Sequence, residues 1–411
     1  MSGENRFKHL ALSDWQQFRD ISIDFHSRLT VLTGANASGK TTILNLLARH
    51  HDWQVPSLAT PKRLRQHKAI RFLTRLFRGE DRSDKNTIGH LDYANGNQTQ
   101  LKVPTEDTPS YQVSFEQQQP VPCFFVPSHR SIYRYQRLEN IPRSKKSKQE
   151  AFDLVWNSTK SRYFGGRGVP ASFHMKETLI AWSVFGRGNE DMLPEPELMG
   201  YYEGFQEILR TVLPSTLGFK RFSIRNLEVV MECNSAEFMI DAASGGLSAV
   251  VDMAWQIFMY AAKDQTPFTV IIDEVENHLH PTMQRRILGD FLTAFPTVTF
   301  VVSTHSPLVV NSVKDSSVYV LRYDDLNEIR SEQLDLVNKA RTANQVLDEV
   351  LGVSNSMPVW AEAELFAVVQ EFANQRLNED TLRAIREHLH TIGLQHFLPE
   401  TLGHLIDEGP R

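Results

Sequence analysis

The feature that most constrains the fold is GANASGKT at residues 34–41, which matches the phosphate-binding pattern G-x-x-x-x-G-K-[ST]. It follows RLTVLTG, a continuous apolar run typical of a strand buried on both faces of a parallel sheet. It precedes TTILNLLARH, a helical pattern with Ile43, Leu46 and Leu47 on one side. A strand, a glycine-rich turn and a helix in this order predict an α/β fold of the P-loop NTPase class with a mixed sheet.

The turn itself predicts Mg-ATP as ligand. Its glycines let backbone N–H groups turn toward phosphate oxygens, and the helix N-terminus adds positive partial charge. Lys40 can reach the β- and γ-phosphates, and the Thr41 hydroxyl can bind Mg²⁺. The alternative is a chance glycine turn. We expect nucleotide contacts from Gly34, Asn36, Ala37, Ser38, Gly39, Lys40, Thr41 and Thr42.

A second apolar run ends in two acids, in IIDEVENHLHP from Ile271. Ligands bind at the carboxyl ends of strands in open α/β sheets, so Asp273 is expected to hold Mg²⁺ together with Thr41. Glu274 is expected to orient or deprotonate the attacking water. Adjacent strand residues point to opposite faces, so this pair works only if the strand ends there. The alternative is that both acids cap the following turn.

A third apolar run, VTFVVSTHS, ends at Thr304 and His305. His305 could donate a hydrogen bond to the γ-phosphate and report its presence, although a lone histidine at a strand end is often structural. We predict Glu274 and His305 as the catalytic residues.

The segment AASGGLSAVV places Ser244, Gly245 and Gly246 at the start of an amphipathic helix, about 200 residues beyond the phosphate loop. Small residues at a helix start form an anion site, but such turns are common. By itself this element is consistent with an ordinary turn.

The four elements in this order resemble the ABC-type ATPases. In that family the Ser-Gly-Gly signature contacts the nucleotide of a second subunit, which implies that Ser244, Gly245 and Gly246 serve a partner's ATP in a homodimer or higher homo-oligomer. The segment lacks the glutamine or arginine that often follows the glycines. FKHLALSDWQQFRDISIDF, DEVENHLHP and STHSP are similar to the SMC/RecF/OLD branch, and specifically to stand-alone ATPases of antiphage systems of the Septu or PARIS type.

The resemblance implies an ABC-ATPase head formed by residues 1–60 and 216–330. We expect 61–215 to be insertions of hairpin, helical and basic segments, with a hairpin at Asn95-Gly96 and a buried strand in PVPCFFVPSHR. Within them we expect loop-like basic residues over 136–170, with RSKKSKQ at 143–149 as an exposed loop, and we expect 331–411 to be a helical C-terminal tail. SVYVLRY is expected to be the final strand. The tail is either a docking site or packing over the ATPase core.

Composition narrows the setting of the protein. The net charge of −5 predicts no overall attraction to nucleic acid, so DNA binding would require a local basic patch such as Arg63–Arg78 or Arg143–Lys148. The two cysteines are widely spaced, which does not indicate a disulfide framework. The N-terminus lacks an apolar signal region, and no apolar run is long enough to span a membrane. Together these features favour a cytoplasmic protein.

Three weaker candidates carry open alternatives. The segment Ser128–Arg130, with Gln136, lies roughly where the family carries its Q-loop, or it is a plain loop. Trp15, Phe18 and Arg19 lie where members of the family often contact the base or phosphates of the nucleotide. The alternative is that the two aromatic residues form a pair in the core. Asn277, His278 and His280 lie where the family's D-loop crosses the dimer interface, and a metal site there lacks a third ligand of suitable spacing.

The resemblance implies an ATP-hydrolysing sensor or regulator of antiphage defence. Its destructive partner would be a separate nuclease or other effector, because no further acidic DxD group follows His305. A RecF-like DNA-repair clamp and a transporter energising subunit remain alternatives. The first would be stimulated by duplex DNA, and the second would co-purify with a permease.

Overall fold

The computed structural model describes residues 5–63, 70–73, 86–104, 108–130, 133–261, 267–335, 343–347, 359–372, 378–399 and 401–403. The chain forms two compact units, Met1–Ala343 and Asn344–Arg411. Within the described ranges, every helix is too short or too polar to cross a bilayer.

Eleven strands of the first unit form one sheet, in the order β10-β8-β7-β1-β2-β18-β17-β3-β16-β15-β11. Their bounds are β1 Phe7–Trp15, β2 Phe18–Asp24, β3 Leu29–Gly34, β7 Thr87–Tyr93, β8 Gln98–Lys102, β10 Ser114–Glu116, β11 Cys123–Val126, β15 Thr269–Ile272, β16 Thr299–Ser303, β17 Ser317–Tyr323 and β18 Ile329–Gln333. Three smaller sheets contain β4 Ser57–Leu58 with β9 Ser110–Tyr111, β5 Thr60–Arg63 with β6 Ile70–Leu73, and β12 Phe219–Arg225 with β13 Glu228–Cys233 and β14 Glu237–Met239.

The parallel part of the main sheet positions the candidate site. β3 pairs in parallel with β16 and β17, and β15 pairs in parallel with β16 and β11. All residues of β3, β11 and β15 are buried, as their continuous apolar sequences predicted. The carboxyl ends of these strands therefore meet at one edge, where the phosphate loop, the acidic pair and His305 follow.

The helices of the first unit pack on the parallel part of the main sheet, on the smaller sheet of β12–β14 or on one another. They are α1 Lys40–Ala48, α2 Lys148–Tyr163, α3 Ala171–Arg187, α4 Pro196–Val212, α5 Gly245–Tyr260, α6 Pro281–Gln284, α7 Ile287–Ala294 and α8 Pro307–Val310. Trp182 of α3, Phe205 of α4 and Trp255 of α5 form one buried aromatic cluster, with ring centroids 5.4 Å and 4.8 Å from Trp255. This cluster fixes α5, the helix that the Ser-Gly-Gly segment opens, against its neighbours.

The first unit confirms the mixed α/β sheet but differs from the expected layout of insertions. Strands β7, β8, β10 and β11 all lie within 61–215 and belong to the main sheet, β7 through antiparallel pairing with β1. The expected hairpin at Asn95-Gly96 is present, but it extends the sheet. SVYVLRY is followed by β18, so it is not the final strand, and the unit boundary lies at 343–344.

The prediction of loop-like structure over 136–170 is wrong at Lys148–Tyr163, which form α2. Ser147 caps this helix: its hydroxyl accepts from the Glu150 backbone N–H, and the Glu150 carboxylate accepts from the Ser147 N–H at 2.8 Å. Lys148, expected on an exposed basic loop, is buried with its ammonium 3.6 Å from the Phe258 ring centroid.

The second unit contains the helices Val359–Phe372 and Glu379–Thr391, and a short helical turn at Ala343–Gln345 spans the unit boundary in sequence. Buried apolar residues join the two longer helices: Ala361, Leu365, Val368, Val369, Phe372, Ile385 and Leu389. The helical character expected for the tail is confirmed over these ranges.

Candidate nucleotide site

The phosphate loop has a backbone that only particular residues tolerate. Gly34, Ala37 and Gly39 have φ values of 140°, 61° and 85°. A Cβ at Gly39 would lie 2.3 Å from Cζ of Phe18, and one at Gly34 would lie 2.4 Å from the Leu321 carbonyl oxygen. Both glycines are therefore required by space as well as by conformation.

Lys40 begins α1 and lies inside the loop. Its ammonium donates to the carbonyl oxygens of Gly34 at 3.0 Å and Ala35 at 2.9 Å, and to the Ser38 hydroxyl at 3.3 Å. Burial lowers the pKa of Lys40 to about 8, although the carboxylate of Asp273 acts in the opposite direction. A negatively charged ligand bound in the loop would favour the protonated, charged form of Lys40.

The two expected metal ligands, Thr41 and Asp273, lie in direct contact. The Thr41 hydroxyl is 2.9 Å from Asp273 Oδ2, and the Ser303 hydroxyl donates to Asp273 Oδ1 at 2.5 Å. Burial raises the pKa of Asp273, and both hydroxyls oppose that rise. Hydroxyl and carboxylate oxygens are the ligands that Mg²⁺ prefers, so this pair fits the ion that the loop implies.

Glu274 lies in a strained turn beyond the end of β15. Its φ is 46°, unusual for a residue with a side chain. Its backbone N–H donates to the Ser303 hydroxyl at 2.8 Å, and the Asn277 amide donates to its carboxylate at 2.8 Å. Because β15 ends at Ile272, the opposite-face geometry of a continuing strand does not apply to the acidic pair. Asn277, noted in the sequence only for the D-loop, orients the Glu274 carboxylate.

Arg130 holds this acidic turn from the neighbouring strand. Its guanidinium donates to the carbonyl oxygens of Asp273 at 2.9 Å and Glu274 at 3.0 Å. The side chain is buried, and burial lowers its pKa to about 10. The sequence placed Ser128–Arg130 at the right edge but could not predict these contacts. Gln136, the other Q-loop candidate, contributes its backbone carbonyl to the Lys176 ammonium at 2.5 Å.

His305 follows β16 at the same edge. Its backbone N–H donates to the Glu276 carboxylate at 2.5 Å. Partial burial lowers the pKa of His305, and the Lys40 charge lowers it further. The imidazole is therefore favoured in its neutral form, with one N–H donor available.

The Ser-Gly-Gly segment begins α5 as expected. The Ser244 hydroxyl caps the helix by accepting from the Leu247 N–H at 3.5 Å, and Ser244 and Gly245 are exposed. A Cβ at Gly246 would lie 2.9 Å from the His278 carbonyl oxygen. The start of α5 therefore packs closely against the turn that follows the acidic pair.

The remaining candidates divide clearly. Trp15 and Phe18 are buried with ring centroids 5.8 Å apart, which favours the core aromatic pair, and Arg19 forms an ion pair with Asp14. Across the part of the chain that the structure describes, no group of three or more His, Cys, Asp or Glu side chains could hold a metal, and this includes the surroundings of His278 and His280.

In the candidate patch Arg143–Lys148, Arg143 is exposed, whereas the three lysines are engaged. Lys145 and Lys146 form ion pairs with Glu195 and Glu177, and Lys148 is buried. The side chains of Arg63–Arg78 lie outside the described residues.

Two family models match the chain. One, described as an AAA domain, matches residues 9–165, and another, described as "AAA domain, putative AbiEii toxin, Type IV TA system", matches residues 238–311.

Curated relatives also match. The retron Ec83 probable ATPase of Escherichia coli is 23% identical over 50% of this chain and 39% of the relative. The retron Vc95 probable ATPase of Vibrio cholerae is 28% identical over 28% of this chain and 24% of the relative. The Septu protein PtuA of Bacillus mycoides is 30% identical over 22% of this chain and 13% of the relative.

The chain spans less than half the length of these curated relatives. Because these relatives are retron and Septu proteins, they confirm the resemblance to ATPases of antiphage systems that the motifs indicated. Among solved structures, the SMC head domain from Thermotoga maritima aligns with a TM-score of 0.42 at 14% identity, over 80% of this chain and 99% of that one. An SMC head bound to the C-terminal winged-helix domain of ScpA aligns with a TM-score of 0.46 at 14% identity, over 80% of this chain and 98% of that one.

Proposed function

We propose that this chain hydrolyses ATP to ADP and phosphate at a site shared between two copies of itself, as the ATPase of an antiphage defence system. The contact between Thr41 and Asp273 at 2.9 Å carries this proposal, since it joins the phosphate loop to the acidic turn in the arrangement that Mg-ATP requires. The similarity to retron and Septu proteins supports the biological setting.

The proposed chemistry assigns a task to each group. The loop from Gly34 to Thr42 and the Lys40 ammonium bind the phosphates. Thr41 and Asp273 would hold Mg²⁺, which neutralises charge on the β- and γ-phosphates when bound.

Glu274 takes a proton from the attacking water as its oxygen bonds to the γ-phosphorus. The bond from that phosphorus to the bridging oxygen breaks, and ADP leaves with the electron pair. Asn277 and Arg130 position the Glu274 carboxylate and its backbone, and the neutral His305 imidazole donates to the γ-phosphate.

The dimeric site rests on the exposed start of α5. Ser244 and Gly245 are small and exposed, and they lie at a helix N-terminus. The N–H groups there could bind phosphate oxygens of the nucleotide held by another subunit. In this proposal ATP joins two copies, hydrolysis releases them, and the cycle controls a nuclease or other effector protein in the cytoplasm. A RecF-like DNA clamp remains the second candidate, although the ion pairs of Lys145 and Lys146 do not favour it.

The test compares Glu274→Gln with the wild type and with Glu207→Gln, an exposed control on α4. We expect Glu274→Gln to bind ATP with unchanged affinity, to lose at least about 100-fold in kcat, and to accumulate as an ATP-bound dimer. Phosphate release and light scattering measure the two effects. Hydrolysis by Glu274→Gln at the wild-type rate would overturn the assignment of the base.

A further inference from the structure

The Glu276 side chain joins the acidic turn to the residues that follow β16. Glu276 lies shortly beyond the proposed base Glu274, and its Oε1 accepts a hydrogen bond from the backbone N–H of His305 at 2.5 Å. The side chain is partly buried. Its other oxygen, Oε2, is buried and has no hydrogen-bond partner in the described part of the chain. Among the described residues, the carboxylate is thus engaged through its bond to His305.

The backbone on either side of His305 is held by other bonds. The Thr304 N–H donates to a carbonyl oxygen of β3 at 3.0 Å, and the Ser306 N–H donates to the Thr304 hydroxyl at 3.0 Å. The Ser306 hydroxyl donates to the Gln284 side-chain oxygen at 2.6 Å. The acidic turn, through Glu276, therefore supplies the acceptor for the residue that lies between these two held neighbours.

The bond to Glu276 fixes the direction of a peptide unit. A peptide unit is planar, so the direction of the His305 N–H sets the plane that leads into the His305 Cα. A partly buried N–H without an acceptor is costly, and this peptide would rotate toward another acceptor if the carboxylate were removed. Such a rotation would move the imidazole, and a displacement of about 1 Å can slow a reaction about 100-fold. The position of the ring thus depends on Glu276.

The charge of Glu276 also acts inside the nucleotide site. It raises the pKa of Lys40, Arg130 and His305, against the effect of burial on each. The carboxylate therefore lies close enough to influence the basic side chains of the site. This placement supports a role in the site in addition to joining the turn to the end of β16.

We propose that Glu276 is a positioning residue, which holds the His305 imidazole where it donates to the γ-phosphate. This role rests on the proposed hydrolysis, because it acts through the contact that His305 makes there. Glu276 itself contacts neither the nucleotide nor the attacking water in this arrangement. The alternative is that the bond only joins the turn to β16, in which case its loss would lower stability without acting through His305.

The first measurement compares Glu276→Ala with the wild type and with Asp290→Ala. Asp290 is a partly buried acid on α7, where it pairs with Arg286 at 3.3 Å, and it is the matched control. We expect Glu276→Ala to lower kcat about tenfold while the Kd for ATP stays within about twofold of the wild type, since the phosphate loop is unchanged. Asp290→Ala should keep the wild-type kcat. Glu276→Ala protein that hydrolyses ATP at the wild-type rate would overturn the proposal.

A double-mutant cycle asks whether Glu276 acts through His305. In a His305→Ala background, Glu276→Ala should lower kcat by no more than about twofold, because the ring that it positions is absent. A loss of about tenfold in both backgrounds would show that the two residues act independently, and it would overturn the proposal.

The conservative variant Glu276→Gln tests the hydrogen bond itself. It keeps a side-chain oxygen that can accept from the His305 N–H, so it should retain at least about a third of the wild-type kcat. A loss as large as that of Glu276→Ala would show that the hydrogen bond is not the cause, which contradicts the proposal.

A spectroscopic measurement tests the same contact without nucleotide. In protein with isotope-labelled histidine, the NMR signal of the His305 ring is the one absent from His305→Ala. We expect that signal to shift in Glu276→Ala and to keep its wild-type position in Asp290→Ala. An unmoved signal in Glu276→Ala would overturn the positioning of His305. Because this readout needs no turnover, a wild type without ATPase activity would contradict the proposed function, while the NMR shift would still decide whether Glu276 positions His305.

Discussion

Buried charges at three positions show how this chain tolerates ions away from water. Lys40 lies within hydrogen-bond distance of three loop oxygens, whereas Lys176, which is fully buried, contacts the carboxylates of Asp241 at 2.6 Å and Glu228 at 3.0 Å. Asp252 has only a glutamine amide and a nearby guanidinium, and burial raises its pKa to about 6. Folding therefore opposes the ionisation of Asp252, as burial also opposes that of Lys40.

Asp252→Asn should change how stability depends on pH. The folded pKa of about 6 exceeds the ordinary value of 3.8, so the folded state binds more protons than the unfolded state between these values. Wild-type stability therefore falls as pH rises through about 4 to 6. The asparagine variant lacks this loss and should be more stable above pH 6, by up to about 3 kcal/mol, and equal below pH 4.

The melting temperatures of both proteins from pH 4 to 8 measure this effect. Other buried acids are common to the two proteins, so their contributions cancel in the difference. A difference that stays constant over the whole range would show that Asp252 does not titrate as described.

At the scale of elements, Lys176 joins three segments that differ widely in sequence position. It lies on α3, Glu228 begins β13, and Asp241 lies in the short helical turn Ile240–Ala242 that leads into Ser244. The network therefore holds the approach to the Ser-Gly-Gly segment in place.

Lys176→Met should destabilise the first unit by about 3–5 kcal/mol, because it leaves the buried Asp241 carboxylate and the partly buried Glu228 carboxylate without their cation. Lys176→Met combined with Asp241→Asn and Glu228→Gln should recover part of that loss. Thermal unfolding followed by tryptophan fluorescence, which reports on the cluster around Trp255, makes the comparison. If the triple variant is no more stable than Lys176→Met alone, uncompensated charge is not the cause.

The elements that sequence predicted well are those with an unambiguous physical signal. Continuous apolar runs predicted β3, β11, β15 and β16. The glycines of the phosphate loop, where an added Cβ would clash, marked that loop in the sequence. Strands β7 and β8 were placed correctly as a hairpin, but their polar alternation carries no signal of which sheet they join. Their pairing with β1 depends on tertiary structure.

Two other features show why part of the site escaped prediction. Helix α2 follows a basic run and has a polar sequence, although Ser147 and Glu150 form the capping box that could have revealed it. Arg130 contacts carbonyl groups more than 140 positions away, and that contact exists only because β11 pairs in parallel with β15. A local motif cannot encode such a contact.

For the whole molecule, the proposed site is complete only when two copies meet. The phosphate loop, acidic turn and His305 gather on one sheet edge, whereas Ser244 and Gly245 are exposed at the start of α5. A two-fold dimer would bring each exposed start to the other copy's nucleotide and would form two equivalent sites. The net charge of −5 predicts no overall attraction of this chain to nucleic acid.

The most direct measurement mixes two inactive variants, Lys40→Ala, which lacks phosphate binding, and Ser244→Arg, which blocks the start of α5. Each alone should hydrolyse no ATP. Mixed in equal amounts, they should recover about a quarter of the wild-type rate, since half of the dimers are mixed and each mixed dimer has one intact site. A mixture as inactive as its components, although mixed dimers form, or a Ser244→Arg protein that hydrolyses ATP normally by itself, would contradict the shared site.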